Sequence, residues 1–176
     1  MTREQLAKRI AELSLLRGEF TLRSGRKSNY YLDKYRFETY PDVLQALGAM
    51  FADRVGANVE RIAGAELGAV ALAAATSIAS GKPFVIVRNK KKDYGTSKAV
   101  EGALNPGETV MIVEDVLTTG GQVLEAAQSL KDVGAKVDRI VAVIDRLEGA
   151  RANIESAGYV LESLFTTKDL GIEQGK

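Results

Sequence analysis

The sequence contains no cysteine and no histidine in 176 residues. Without cysteine there is no disulfide framework, no thiolate nucleophile and no thiolate zinc site. Without histidine, the commonest general acid–base and the commonest transition-metal ligand are both missing. Any catalysis must therefore use carboxylates, lysine and arginine, hydroxyls and backbone dipoles, a set compatible with oxygen-liganded Mg²⁺. No apolar run approaches the roughly 20 residues that span a bilayer. The opening Met1-Thr2-Arg3-Glu4-Gln5 lacks the apolar stretch of a secretory leader, so a cytoplasmic location is expected. A formal net charge of +1 exerts no global pull toward nucleic acid or membrane. Neither G-x-G-x-x-G nor G-x-x-x-x-G-K-[ST] occurs, so dinucleotide-binding and P-loop readings have no support.

Hydrophobic content of 45% and charged content of 27% are ordinary for a globular chain, and the length suits one domain. Leu6, Ile10, Leu13 and Leu16 share a helical face over 2–17, closed by Gly18. Two short β-like runs, Phe20–Arg23 and Asn29–Asp33, flank Ser24–Lys27 and predict a hairpin. Pro41 opens a second helix over 41–55. From residue 59 the rhythm becomes alternating. Strands are expected at Val59–Gly64, Phe84–Arg88, Thr109–Asp115, Val137–Asp145 and Tyr159–Leu164. Helices are expected at Leu67–Ser80, Gln122–Val133 and 148–157, with a turn at 166–170. This alternation implies an α/β fold with a mostly parallel central sheet flanked by helices. Residues 1–58 form a small N-terminal hood and 59–165 the α/β core of one domain. Ligands in such sheets bind outside the carboxyl ends of the strands, where Arg88, Glu114, Asp115 and Arg146 fall.

One stretch carries most of the chemistry. Val110–Val113 is apolar and leads into Glu114-Asp115, then Val116-Leu117, then Thr118-Thr119-Gly120-Gly121, then Gln122 and helical sequence. A buried strand, a tight glycine turn and a helix start aim backbone N–H groups at one point, which suits a phosphate. The threonines add hydroxyl donors, and the two carboxylates can accept hydrogen bonds from vicinal sugar hydroxyls. Taken singly, the same features also fit a crossover loop with Thr119 as helix N-cap and a solvated acidic pair. The ordered set points to a ribose-phosphate site.

Residues 89–108 are the anomaly, about twenty residues of little periodicity inside a compact domain. Arg88 to Lys98 carries five basic residues against one acid. By itself it fits a solvated basic loop or a nucleic-acid patch. Beside a phosphate cradle it fits the neutralisation of a departing diphosphate in a closed site.

Residues 110–122 closely resemble the phosphoribosyl-diphosphate (PRPP) motif of the type I phosphoribosyltransferases. Arg88–Gly95 with Glu101-Gly102, Phe20–Ser28, Ala65-Glu66-Leu67-Gly68 and Asp145–Gly149 resemble the orotate branch more particularly, over roughly residues 15–165. The resemblance implies a magnesium-dependent enzyme converting orotate and PRPP to orotidine 5′-monophosphate and diphosphate, the step before UMP. It implies a homodimer in which a basic loop covers the partner's site, with Mg²⁺ held mainly through PRPP rather than by dedicated protein ligands. It assigns to PRPP the residues Arg23, Glu66, Arg88, Lys91, Lys92, Tyr94, Glu114, Asp115, Val116, Leu117, Thr118, Thr119, Gly120, Gly121 and Gln122. Arg146, Tyr31, Leu32 and Thr118 fall to the base, and Lys92, Arg88 and Asp115 carry the catalytic assignment.

Three positions depart from the pattern. Asn89 stands where a lysine reaching the partner site is usual, Tyr94 replaces a loop histidine, and Leu67 replaces a lysine seen in some members. Arg146 also has a purely structural reading, as an ion-pair partner of Glu148. Two rivals share the PRPP motif: a purine-type phosphoribosyltransferase and a PRPP-sensing regulator without turnover. The hood does not read as a winged-helix module, so neither nucleic acid nor membrane is an expected partner.

Overall fold

The computed structural model describes residues 1–21, 27–89 and 99–172. Helix α1 (Arg3–Ser14) opens on a reciprocal capping box between Thr2 and Gln5 and buries Leu6, Ile10 and Leu13. It stops earlier than its periodicity suggests. Leu15 and Leu16 turn into strand β1 (Leu15–Thr21) because β2 (Lys27–Leu32) offers them an antiparallel partner: Leu15 faces Leu32 and Leu16 faces Tyr31. A five-residue helix, α2 (Lys34–Glu38), follows, absent from the sequence-based expectation. Helix α3 (Pro41–Ala52) has proline in its first turn, as expected.

The remaining strands are β3 (Arg61–Ala65), β4 (Phe84–Val87), β5 (Val100–Glu101), β6 (Thr109–Leu117), β7 (Lys136–Asp145) and β8 (Leu161–Thr166). They form one six-stranded sheet in the order β5-β4-β3-β6-β7-β8. All its neighbours run parallel except the short edge strand β5, antiparallel to β4 and drawn from the stretch expected to be irregular. The α/β expectation of a mostly parallel sheet flanked by helices is borne out. Helices α4 (Ala69–Ser80), α5 (Gly121–Asp132) and α6 (Ala150–Ser156) make the connections, and a 3₁₀ turn lies at Thr167–Leu170.

Alternation along the strands divides the core in two. On β6, Met111 and Val113 join the cluster beneath α1, α3 and α4, while Val110 and Ile112 join the one beneath α5 and α6. Strand β6 continues two residues past Asp115 because β7 pairs with it to the end, Leu117 facing Asp145. The acidic pair therefore lies within the last turn of a paired strand rather than in a loop. Among the described residues no helix is long and apolar enough to cross a membrane.

Strand order locates the cleft. From β3 the chain moves outward through β4 to β5, then returns beside β3 at β6 and moves the other way. The loops leaving β3 and β6 diverge at this switch point, where doubly wound sheets bind ligands.

Candidate active site

Glu114 and Asp115 lie near the carboxyl end of β6 with only 6% and 1% of their surface exposed. Such carboxylates need partners, because an uncompensated buried charge is costly. Asp115 has one in Lys34, the first residue of α2, whose Nζ donates to Oδ2 at 2.6 Å. The backbone N–H of Val116 donates to the other oxygen, Oδ1. Glu114 Oε1 accepts from the Asp115 N–H at 2.9 Å. Glu38, one helical turn beyond Lys34 and 3% exposed, brings a third carboxyl against Asp115.

Crowding redistributes the protons. Burial, then repulsion from Asp115, raises Glu38 to about 8 against the pull of Lys34. The same two effects hold Glu114 well above the usual carboxylate range. Burial opposes the charge on Lys34, but the Asp115 carboxylate more than offsets it, and the ammonium is stabilised.

The β3 loop closes the other side. A Cβ added to Gly68 would overlap the Asp115 carboxylate and lie 3.2 Å from Lys34 Nζ, so only glycine lets this backbone approach. Glu66 is tied into the same rim. Its carboxylate accepts from the Asn89 N–H at 3.0 Å, and its carbonyl accepts from Asn89 Nδ2 at 2.9 Å. Asn89 Oδ1 in turn accepts from Gln122 Nε2 at 3.2 Å, joining the loops after β3, β4 and β6. Arg88 Nη1 lies 3.9 Å from both Glu66 and Glu101.

Beyond β6, Thr118 and Thr119 are exposed, and Gly120 caps α5 with φ of 82° and no side-chain cap. Thr119 is therefore not the N-cap. The first N–H groups of α5 have no intrahelical acceptor and lie at the same edge of the sheet as Thr118 and Thr119. Asn153 Nδ2 steadies the turn by donating to the Thr119 carbonyl at 2.8 Å. A Cβ on Gly120 would come within 3.1 Å of Ile154, which with the left-handed backbone makes this glycine structural as well.

These parts match a known family. Residues 36–165 fit the model of the phosphoribosyl transferase domain. The orotate phosphoribosyltransferase of Haloquadratum walsbyi is 49% identical over 89% of this chain and 85% of its own length. That of Methanocaldococcus jannaschii is 44% identical over 96% of each. The chain belongs to the orotate phosphoribosyltransferase family. Among solved structures, the Mycobacterium tuberculosis orotate phosphoribosyltransferase in complex with PRPP superposes with a TM-score of 0.83 at 32% identity, covering 97% of this chain and 99% of that one.

Against this family frame, the remaining expected residues divide. Arg146 follows β7, and its N–H donates to the Leu117 carbonyl at 3.0 Å, which fixes the backbone beside the Thr-Gly turn. Its Nη2 lies 2.9 Å from Glu148 Oε1 and donates to the Tyr30 hydroxyl at 3.2 Å, with the guanidinium 5.6 Å from the Tyr30 ring centre. Strand alternation puts Tyr31 on the face opposite Tyr30, beside Phe20 at 5.7 Å, and Leu32 is buried in the core. The aromatic partner of Arg146 is therefore Tyr30. Arg23, Lys91, Lys92 and Tyr94 lie outside the described residues.

Sequence reasoning missed Tyr30, Lys34 and Glu38. The one signal for the last two was Lys34 and Glu38 four apart around the buried Phe37, a charged pair beside an apolar anchor.

Proposed function

We propose that this chain transfers the 5-phosphoribosyl group of PRPP to orotate, giving orotidine 5′-monophosphate and diphosphate on the route to UMP. It is a pentosyltransferase acting as a magnesium-dependent cytoplasmic homodimer, with residues 1–58 as a hood over the 59–165 core. The observation that carries this reading is the switch-point cleft, where a strand-end carboxylate pair, a Thr-Thr-Gly-Gly turn and a helix start stand together in a chain 49% identical to a protein of that name.

Each part has a role in the reaction, in which a ring nitrogen of orotate bonds to the ribose anomeric carbon as the bond to diphosphate breaks. Asp115 and Glu114 accept hydrogen bonds from the ribose hydroxyls. Val116 to Gln122 cradle the 5′-phosphate through N–H groups and the Thr118 and Thr119 hydroxyls. Glu66, Arg88 and the loop residues Lys91, Lys92 and Tyr94 surround the diphosphate, with Arg23 nearby. Lys92 and Arg88 meet the charge that grows on the leaving group.

Arg146 pairs with the orotate carboxylate, for which a guanidinium is well shaped, with Thr118 and Tyr31 toward the base and Leu32 backing them from the core. The donors lining the cleft are carboxylate oxygens with no soft ligand, which suits Mg²⁺. The ion would be held chiefly by the diphosphate, as the family resemblance implies, with Asp115 and Glu66 at hand. When bound, it would withdraw charge from that leaving group. Orotate is already anionic and needs no protein base, in keeping with a chain without histidine.

The test is diphosphate release from PRPP and Mg²⁺ with orotate, uracil, adenine, guanine and hypoxanthine in turn. Orotate alone should support turnover. Comparable turnover with a purine base would replace this reading by a purine-type transferase, and PRPP binding without turnover on any base would make the chain a sensor.

A further inference from the structure

The PRPP reading assigns no role to α2, yet this five-residue helix carries two of the groups nearest Asp115. Lys34 Nζ sits 2.6 Å from Oδ2, and Glu38 is buried one turn further along the same face. Among the described residues its Oε1 is buried without a hydrogen-bond partner. Opposite α2, the Gly68 backbone approaches so closely that no side chain fits. Asp115 is thus gripped between a lysine, a carboxyl and a bare stretch of main chain.

We propose that Lys34 is a positioning residue for PRPP: its ammonium, seated on Asp115 Oδ2, holds that carboxylate in the orientation that accepts the ribose hydroxyls. The inference rests on the reading of Asp115 as a ribose ligand. Lys34 holds Oδ2 and the Val116 N–H holds Oδ1, so the two contacts together set the plane of the Asp115 carboxylate at the cleft. The lysine contact is charge-assisted, and its loss would release that plane. Lys34 acts through Asp115 and forms no bond to the reacting atoms.

A purely structural lysine predicts something different. Removing it would lower the melting temperature and leave substrate constants alone. The test measures steady-state kinetics and PRPP-dependent thermal shifts for wild type, Lys34→Met, Lys34→Gln and Lys34→Arg. In Lys34→Met the KM for PRPP should rise at least about tenfold while the KM for orotate stays within about twofold, as expected when one substrate's binding group is disordered. Lys34→Arg, which restores a cation, should return the PRPP KM to within about threefold of wild type. Lys34→Gln, which keeps a donor but no charge, should stay closer to Lys34→Met and guards against a methionine variant that folds poorly. A Lys34→Met or Lys34→Gln protein with an unchanged PRPP KM and a lower melting temperature overturns the proposal and leaves the PRPP reading standing. A wild-type protein that PRPP does not stabilise overturns both.

Discussion

The two edges of the central sheet treat carboxylates in opposite ways. At the amino-terminal edge, Arg61 at the start of β3 clasps Glu108 just before β6 through two hydrogen bonds of 2.9 and 3.0 Å. Asn105 adds a backbone donor at 2.8 Å, and the Glu108 acid is pulled down to about 2, with Arg61 the main cause. Arg139 likewise bridges Asp138 and Glu162 at 2.7 and 2.8 Å. At the carboxyl edge, Glu38, Asp115 and Glu114 crowd one lysine, and Glu38 is pushed up to about 8. One edge matches charges for the fold. The other, although it pairs Arg88 with Glu66 and Glu101 and Arg146 with Glu148, keeps carboxyls in excess around Asp115, and local rules of this kind break most often at functional sites. The comparison teaches where to look in such a sheet: the edge whose charges do not balance within the protein is the one awaiting a ligand.

The sharpest way to break the contrast is to neutralise the crowded edge. Glu114→Gln with Asp115→Asn should leave the fold intact, since the relief of carboxyl repulsion offsets part of what is lost when Lys34 loses its partner. It should abolish the PRPP-dependent rise in melting temperature, which for wild type at a hundredfold excess over Kd corresponds to about 2.7 kcal/mol. Turnover should fall by about two orders of magnitude or more. Calorimetric melting with and without PRPP, followed by a rate assay, checks this. An equal ligand-induced rise in both proteins would remove the carboxylates from the site.

Arg146 lies between the two regimes, since it has both a partner, Glu148, and a place at the ligand edge. Arg146→Ala should raise the orotate KM by about thirtyfold or more, the size expected when one side of a buried charge contact is truncated. The PRPP thermal shift should stay as in wild type. Wild type should prefer orotate to uracil by about four orders of magnitude, because a site built on a charge partner rejects the analogue lacking it. Initial rates on both bases decide between base recognition and a merely structural pair with Glu148.

The smallest effects are in pH, and their signs oppose. Glu108 has a depressed folded value, so its stabilisation is present above the ordinary carboxylate range and is lost as pH falls from about 4.5 toward about 2. Glu38 has a raised value, so its protonated form stabilises the fold below about 4.5, and that contribution is lost as pH rises toward about 8. The groups acting on Glu38 are Asp115 and Asp33, which raise it, and Lys34, which lowers it. Glu108→Gln should thus lower the melting temperature by a few degrees at pH 7, with the deficit shrinking in acid. Glu38→Gln should flatten the decline of wild-type stability between pH 5 and 9. Melting curves across pH for both variants would refute the contrast if the two slopes had the same sign.

These edges were not equally legible in the sequence. The β6 end was readable because its chemistry is contiguous: apolar strand, acids, turn and helix start follow within a dozen residues, where local signals are strongest. The parallel sheet was readable from alternation. Helix α2 was not, because five residues are too few to show a period and an isolated helix that short has no stability of its own. Leu15 and Leu16 continued the helical spacing of α1, yet hairpin pairing with Leu32 and Tyr31 overrode it. Tyr30 was missed because its place beside Arg146 follows from the hairpin's period of two and not from any signal along the chain. No reading of neighbours along the chain could have joined Lys34 to Asp115.

That separation has a consequence for how the protein acquires its activity. Lys34 and Asp115 are 81 residues apart, and a contact of such range must close a long loop before it returns any energy. In a chain with the sheet formed but α2 undocked, Asp115 has no cation and Glu38 is an ordinary acid in water. The crowding of charge arises only once α2 docks, so the capacity to hold a sugar diphosphate depends on a long-range contact as well as on the sheet. Substrate binding then reports completion of the fold, which secondary structure alone would miss.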